Sequence, residues 1–129
     1  MTSALDRLCT AKGVRIESQY GGVEVPEGWL PGTHPYKVTL RYQGRQLTVP
    51  FYMGPANDHE PSAGDVLSCL IMDACSYENA TDFEDFCRDF GYDTDSRKAE
   101  RIYKALEVQA PKVRRFLGDD FETFAEAEH

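Results

Sequence analysis

The hydrophobic period of this chain changes between its two halves, from two residues to about 3.6, and that change limits the fold more than any other feature. A period of two puts alternate side chains on one face of a strand, whereas a period near 3.6 lines them along one stripe of a helix. In Tyr36 to Tyr42, the apolar Tyr36, Val38, Leu40 and Tyr42 alternate with Lys37, Thr39 and Arg41. In Gln46 to Tyr52, Leu47, Val49 and Phe51 alternate with Gln46, Thr48 and Pro50. Gln43, Gly44 and Arg45 between them read as the turn of a hairpin. Val14 to Tyr20 supplies a third, less regular strand. Pro50 has no N–H to give to a ladder, which places the second hairpin strand at an edge or its bonding at an end. Residues 21–35 hold four Gly and three Pro and form a long connection, with a short strand expected at Val23 to Val25.

From Ser62 onward the helical period takes over. Ser62 is placed to cap a helix in which Val66, Leu67, Leu70, Ile71 and Ala74 form a continuous stripe. Thr81 and Glu84 have the spacing of a capping box, and Phe83, Phe86, Cys87 and Phe90 fall on one face before Gly91 stops the helix. Asp95 or Ser96 caps a third helix, whose stripe is Ala99, Ile102, Tyr103, Leu106, Ala110, Val113 and Leu117. Pro111 interrupts it. An interior proline costs about 3 kcal/mol, so a kink or restart is expected near Ala110, with Gly118 as the stop. Residues 119–129 add a terminal helix carried by Phe121 and Phe124, and Ser3 to Lys12 a short one ended by Gly13. The predicted architecture is α+β: a small antiparallel sheet of about three strands in the N-terminal half, covered on one face by three to four helices from the C-terminal half.

With 129 residues, 41% of them apolar, the chain fills one core, so a single domain 1–129 is expected, its β region at 14–52 and its helical region at 62–129. Four cysteines, Cys9, Cys69, Cys75 and Cys87, contain no C-x-x-C spacing, and His34 and His59 lie in loop-like sequence. Reduced, mostly buried thiols are expected, and no metal and no cofactor. The sequence shows neither a signal-peptide pattern nor a long apolar run, the expectation being a soluble, intracellular protein.

Candidate chemistry is sparse. Asp89 to Glu100 begins with Asp and ends with Glu like a calcium loop, but Gly91 and Thr94 occupy its third and sixth positions, where a carboxylate and a glycine belong. It reads instead as the end of one helix and the capped start of the next. A Cys-His hydrolase would pair Cys9 with His34 or His59, and this is the weakest of the functional readings. No phosphate-binding, dinucleotide-binding or serine-hydrolase motif occurs, and no enzyme activity is expected.

Charge is more informative. The formal net charge is −8, but residues 1–57 carry 6 basic and 4 acidic side chains (+2), and residues 58–129 carry 8 and 18 (−10). Residues 78–95 hold Glu78, Asp82, Glu84, Asp85, Asp89, Asp93 and Asp95 against Arg88 alone. Asp85 and Asp89 are expected to face solvent, opposite the aromatic stripe, with Asp82 at the flank. One reading is a solvated helix face, partly neutralised by the basic third helix. The other is a partner-binding patch that competes with nucleic acid for a basic protein surface, selecting its partner by complementary charge. Trp29 is the second candidate contact, a hot spot if exposed and a core plug if not.

Phe86 to Glu100 (FCRDFGYDTDSRKAE), Arg114 to Asp119 (RRFLGD) and the hairpin end Val49 to Gly54 (VPFYMG) resemble a family of small proteins encoded by bacteriophages, prophages and mobile elements. The likeness covers most of residues 33–120, and its motifs are structural punctuation from which no catalytic residue carries over. What the resemblance implies, by origin and size, is an inhibitor of a bacterial defence system, an anti-CRISPR protein above all, acting in the host bacterial cytoplasm. Its expected partner is a basic host protein, a CRISPR-Cas effector subunit, with no direct contact to nucleic acid or membrane. A phage accessory or morphogenesis module is the alternative, with a homodimer through the hairpin edge as a further expectation.

Overall fold

The alternating segments form the hairpin expected of them, in a computed structural model that describes residues 3–26, 29–57 and 59–128. Strands β1 (Arg15–Tyr20), β2 (His34–Tyr42) and β3 (Arg45–Met53) make an antiparallel sheet in the order β1-β2-β3. Tyr42 pairs with Arg45 across Gln43 and Gly44, whose φ angles of 49° and 76° give the left-handed two-residue turn that matches strand twist. Counted from that closing pair, Lys37 and Pro50 oppose each other at a position where the two residues do not exchange hydrogen bonds. The missing N–H of Pro50 therefore falls on the free side of β3, where it blunts an edge instead of breaking a ladder. The short strand expected at Val23 to Val25 does not form. That segment has no strand partner, and the Glu24 carbonyl accepts a 3.2 Å hydrogen bond from the Tyr52 hydroxyl.

Among the described residues, five α-helices accompany the sheet: α1 (Ala4–Lys12), α2 (Ala63–Asn79), α3 (Phe83–Phe90), α4 (Arg97–Leu117) and α5 (Phe121–Glu128). Their starts follow side-chain chemistry. Ser3 accepts from the Asp6 amide, Ser62 and Asp65 cap each other reciprocally, and Ser96 accepts from the Ala99 amide at 3.2 Å. Gly13 and Gly91 end α1 and α3 in the left-handed conformation.

The helices bring further corrections. The cap of α3 is Asp82, not Thr81: the Asp82 carboxylate takes the Asp85 amide at 2.8 Å, and Asp85 in turn takes the Thr81 amide at 3.0 Å. The cap thus falls one residue later than expected and closes no box, because Asp85 bonds the amide of Thr81 and not that of the cap residue itself. Pro111 does not restart α4, which is one helix from Arg97 to Leu117. Ala110, Val113, Phe116 and Leu117 are buried on both sides of the proline and keep the segment helical. Burial of each large side chain contributes about 1.5–3 kcal/mol, which offsets a proline cost of about 3.

One core joins the sheet to α1, α2, α4 and α5. Val38, Leu40 and Tyr42 of β2 meet Val66, Leu67 and Ile71 of α2, Leu117 of α4 and Phe124 of α5, with Leu5 and Cys9 of α1 closing one end. The other face of the sheet keeps Lys37, Arg41 and Thr48 exposed. A clasp ties the hairpin turn to the end of α4: Arg45 Nε donates to the Phe116 carbonyl at 2.8 Å, and the Tyr42 hydroxyl donates to Asp120.

Helix α3 stands outside that core. Its Phe83 and Phe86 pack edge-on against Tyr103 of α4, with ring centroids 5.3 and 5.1 Å away, and Tyr103 also meets Tyr77 at the end of α2. Phe90, expected in the buried stripe, is 49% exposed, its ring stacked at a centroid distance of 4.7 Å on Phe86 instead of entering the core. No helix among the described residues is long and apolar enough to cross a membrane.

Candidate functional site

The seven acidic side chains of residues 78–95 do not form one patch. Glu78, in the last turn of α2, is committed to Arg114 of α4 through two parallel hydrogen bonds of 2.9 and 2.7 Å. Arg114 also reaches Glu122 of α5 at 3.3 Å and lies 3.7 Å from the centroid of the Phe121 ring. Glu78 thus belongs to a junction of three helices. Asp82 and Asp85 are occupied by the start of α3, and Asp85, expected in solvent, has a side chain only 24% exposed, with Arg88 at 3.4 Å.

Four acids remain. Glu84, Asp89, Asp93 and Asp95 are exposed, and among the described residues none has a cationic side chain within 4.0 Å. They lie on α3 and on the α3–α4 turn, where Asp93 also gives its carbonyl to the Ser96 amide at 3.1 Å. Their field reaches inward: Cys87, buried beneath them, has its thiol pushed up by burial first, then by Asp93 and Glu84. The half-exposed ring of Phe90 belongs to the same helix. Sequence periodicity assigned it to the core and so missed it as a contact candidate.

Trp29 is a surface residue. It is 47% exposed, stacked on Tyr52 with a centroid distance of 4.8 Å, and followed by Leu30 at 70% exposure. The sequence left open which way this ring would turn; it caps the end of β3 and faces α4. Also missed was the arrangement of cations on α4. Lys98, Arg101, Lys112 and Arg115 share one exposed face as two pairs, each spaced by three residues, with eleven residues from Arg101 to Lys112, an order present in the sequence but hidden by counting charge over windows.

The positions weighed for cysteine chemistry lack the geometry of a nucleophile. Cys9 is buried, and burial followed by the Asp6 charge pushes its thiol up to about 11. His34 makes its contacts with the Tyr20 hydroxyl at 3.3 Å and the Pro55 carbonyl at 3.4 Å, and His59 with the Glu60 carbonyl at 3.0 Å. Cys69 is exposed and Cys75 half-buried, and both thiols are shifted upward by burial and by neighbouring carboxylates. A thiolate nucleophile needs a shift the other way. The segment from Asp89 to Glu100 is the end of α3, a turn and the capped start of α4, as its glycine and serine positions required.

Searches against family models, curated proteins and solved structures find no match to this chain.

Proposed function

We propose that this protein acts by stoichiometric binding, presenting the carboxylates of α3 and the α3–α4 turn to a basic, nucleic-acid-binding surface of another protein. The resemblance noted in the sequence gives the biological setting of the proposal: a phage or mobile-element inhibitor of a bacterial defence system, with a CRISPR-Cas effector subunit as the expected partner. One observation carries the reading. Glu84 and Asp89 on α3, and Asp93 and Asp95 in the turn that follows it, are exposed, and among the described residues none is committed to an internal cation. Carboxylates so placed compete with phosphates without being desolvated inside the protein first, and they act mainly on encounter rate and partner choice.

The test is a competition assay between the protein and guide or target nucleic acid for purified effector, run at low and high salt. Each exposed charge pair contributes about 0.5 kcal/mol, so neutralising all four (E84Q, D89N, D93N and D95N) should remove about 2 kcal/mol, roughly 30-fold in affinity. Binding by the parent should also weaken with salt. Full inhibition by the quadruple variant would reject the mechanism.

A further inference from the structure

A trough runs along the opposite side of α4, between that helix and the free edge of β3, and it is separate from the acidic surface of α3. Three connected hollows make it up. The first, about 690 Å³, lies under Trp29 and Leu30 against Tyr92, Lys98 and Arg101. The second, about 570 Å³, shares Trp29 and Ala105 with the first and extends past Met72 and Val108 to Lys112. The third, about 480 Å³, shares Lys112 and Thr48 with the second and ends at Arg45 and Arg115.

The wall contributed by α4 has a regular order. Lys98, Arg101, Ala105, Val108, Lys112 and Arg115 follow one another at alternating spacings of three and four, and all six are exposed. From Lys98 to Arg115 this stripe is about 26 Å long at 1.5 Å per residue. Cations sit at both ends and the middle is aliphatic. Among the described residues, none of its four cations has a carboxylate within 4.0 Å. Among the described residues, five cations line the trough, Arg45 included, against the single carboxylate Asp73. On a chain of net charge −8 this is a local reversal of sign.

From this arrangement we infer that the trough is a docking site for an acidic segment of a partner protein that carries apolar anchor residues between its carboxylates. Charge complementarity selects the acidic segment. The apolar centre selects protein over nucleic acid. A nucleic-acid strand carries charge at every nucleotide and would cross about 16 Å between Arg101 and Lys112 over Ala105 and Val108 with nothing to neutralise it. A peptide with Leu or Phe at its centre and Asp or Glu toward its ends meets both parts. Trp29, Leu30, Met72 and Val108, between 47% and 70% exposed, supply the apolar contact, with Trp29 as the anchor position.

Trp29 is the only tryptophan in the chain, so its emission reports occupancy directly. The probe is an acidic amphipathic peptide of about fifteen residues with Leu or Phe at helical spacing, compared with the same peptide bearing Lys for its acids and with an oligothymidylate of similar length. The acidic peptide should shift Trp29 emission to shorter wavelength, and K98E with R101E should weaken its binding at least tenfold, on the order of the loss and reversal of two surface pairs. Both positions are exposed, so the far-ultraviolet circular dichroism should not change. E84Q with D89N should leave the peptide affinity unchanged, which separates this site from the acidic surface of α3. The inference is overturned if the acidic peptide produces no shift, if the Lys peptide binds equally, or if the oligothymidylate is the ligand that K98E and R101E release. Concentration-dependent self-association abolished by the same two substitutions would also overturn it, by making a second copy the occupant.

Discussion

Substitution of Glu78 separates structural from presented charge within one acidic run. Its two bonds to Arg114 have the parallel geometry that makes carboxylate–guanidinium pairs strongest, but the side chains remain 35% and 41% exposed. Solvent screening therefore holds the pair to about 1 kcal/mol instead of the larger values of buried pairs. The stacking of Arg114 on Phe121 adds about 0.5–1 kcal/mol. On this reckoning E78Q costs about 1 kcal/mol and R114A about 1.5–2. For a chain of this length about 1 kcal/mol corresponds to about 4 °C in Tm, giving losses of roughly 4 °C and 6–8 °C. The E78A/R114A double-mutant cycle, read by thermal unfolding at low and high salt, should return a coupling near 1 kcal/mol that shrinks as salt rises. E84Q and D89N, by contrast, should change stability by less than about 0.5 kcal/mol, in either direction. If E78Q is as silent as E84Q, or E84Q as costly as E78Q, the division of the acidic run into a helix junction and a free surface is wrong.

Two further outcomes follow from the core. Gly64 in the first turn of α2 lies so close to α1 that an added Cβ would come within 2.9 Å of the Asp6 backbone nitrogen and closer still to its carboxylate, which accepts the Gly64 amide at 2.8 Å; Gly64→Ala should cost about 1–3 kcal/mol in urea unfolding, and a neutral result would mean that α1 does not dock as described. Burial raises the Cys9 thiol from 9.0 to about 11, and burial with the Asp120 hydrogen bond raises the Tyr42 hydroxyl from 10.0 to about 12. The unfolded chain releases these protons first, so their contribution is complete below about pH 9 and is lost as pH rises toward 12; urea midpoints should fall across that window, and Tyr42→Phe should flatten the part above pH 10.

The sheet and helices were legible in the sequence because they depend on local chemistry. Alternation around Gln43 and Gly44 determines a hairpin, and Ser62, Gly91 and Ser96 mark helix ends with groups that satisfy the backbone. What escaped was tertiary. The partner of Glu78 lies thirty-six residues away on another helix, and nothing near it in sequence separates it from Glu84. The continuity of α4 through Pro111 depends on what Val113 and Phe116 meet in the sheet. Phe90 follows the apolar period of α3 faithfully and still lies half exposed, stacked on Phe86 instead of buried in the core. The trough beside α4 combines a helix face with a strand edge and a loop tryptophan, three parts that no single window of sequence brings together.

The position of α3 outside the main core has a consequence for the order in which the molecule opens. Amide exchange protects a segment in proportion to what must be broken to expose it, and α3 is held chiefly by Phe83 and Phe86 against Tyr103. Its amides should therefore exchange sooner than those of β2, β3 and α2, and a partner that grips its carboxylates should slow exchange there while leaving the protection of the sheet as it was.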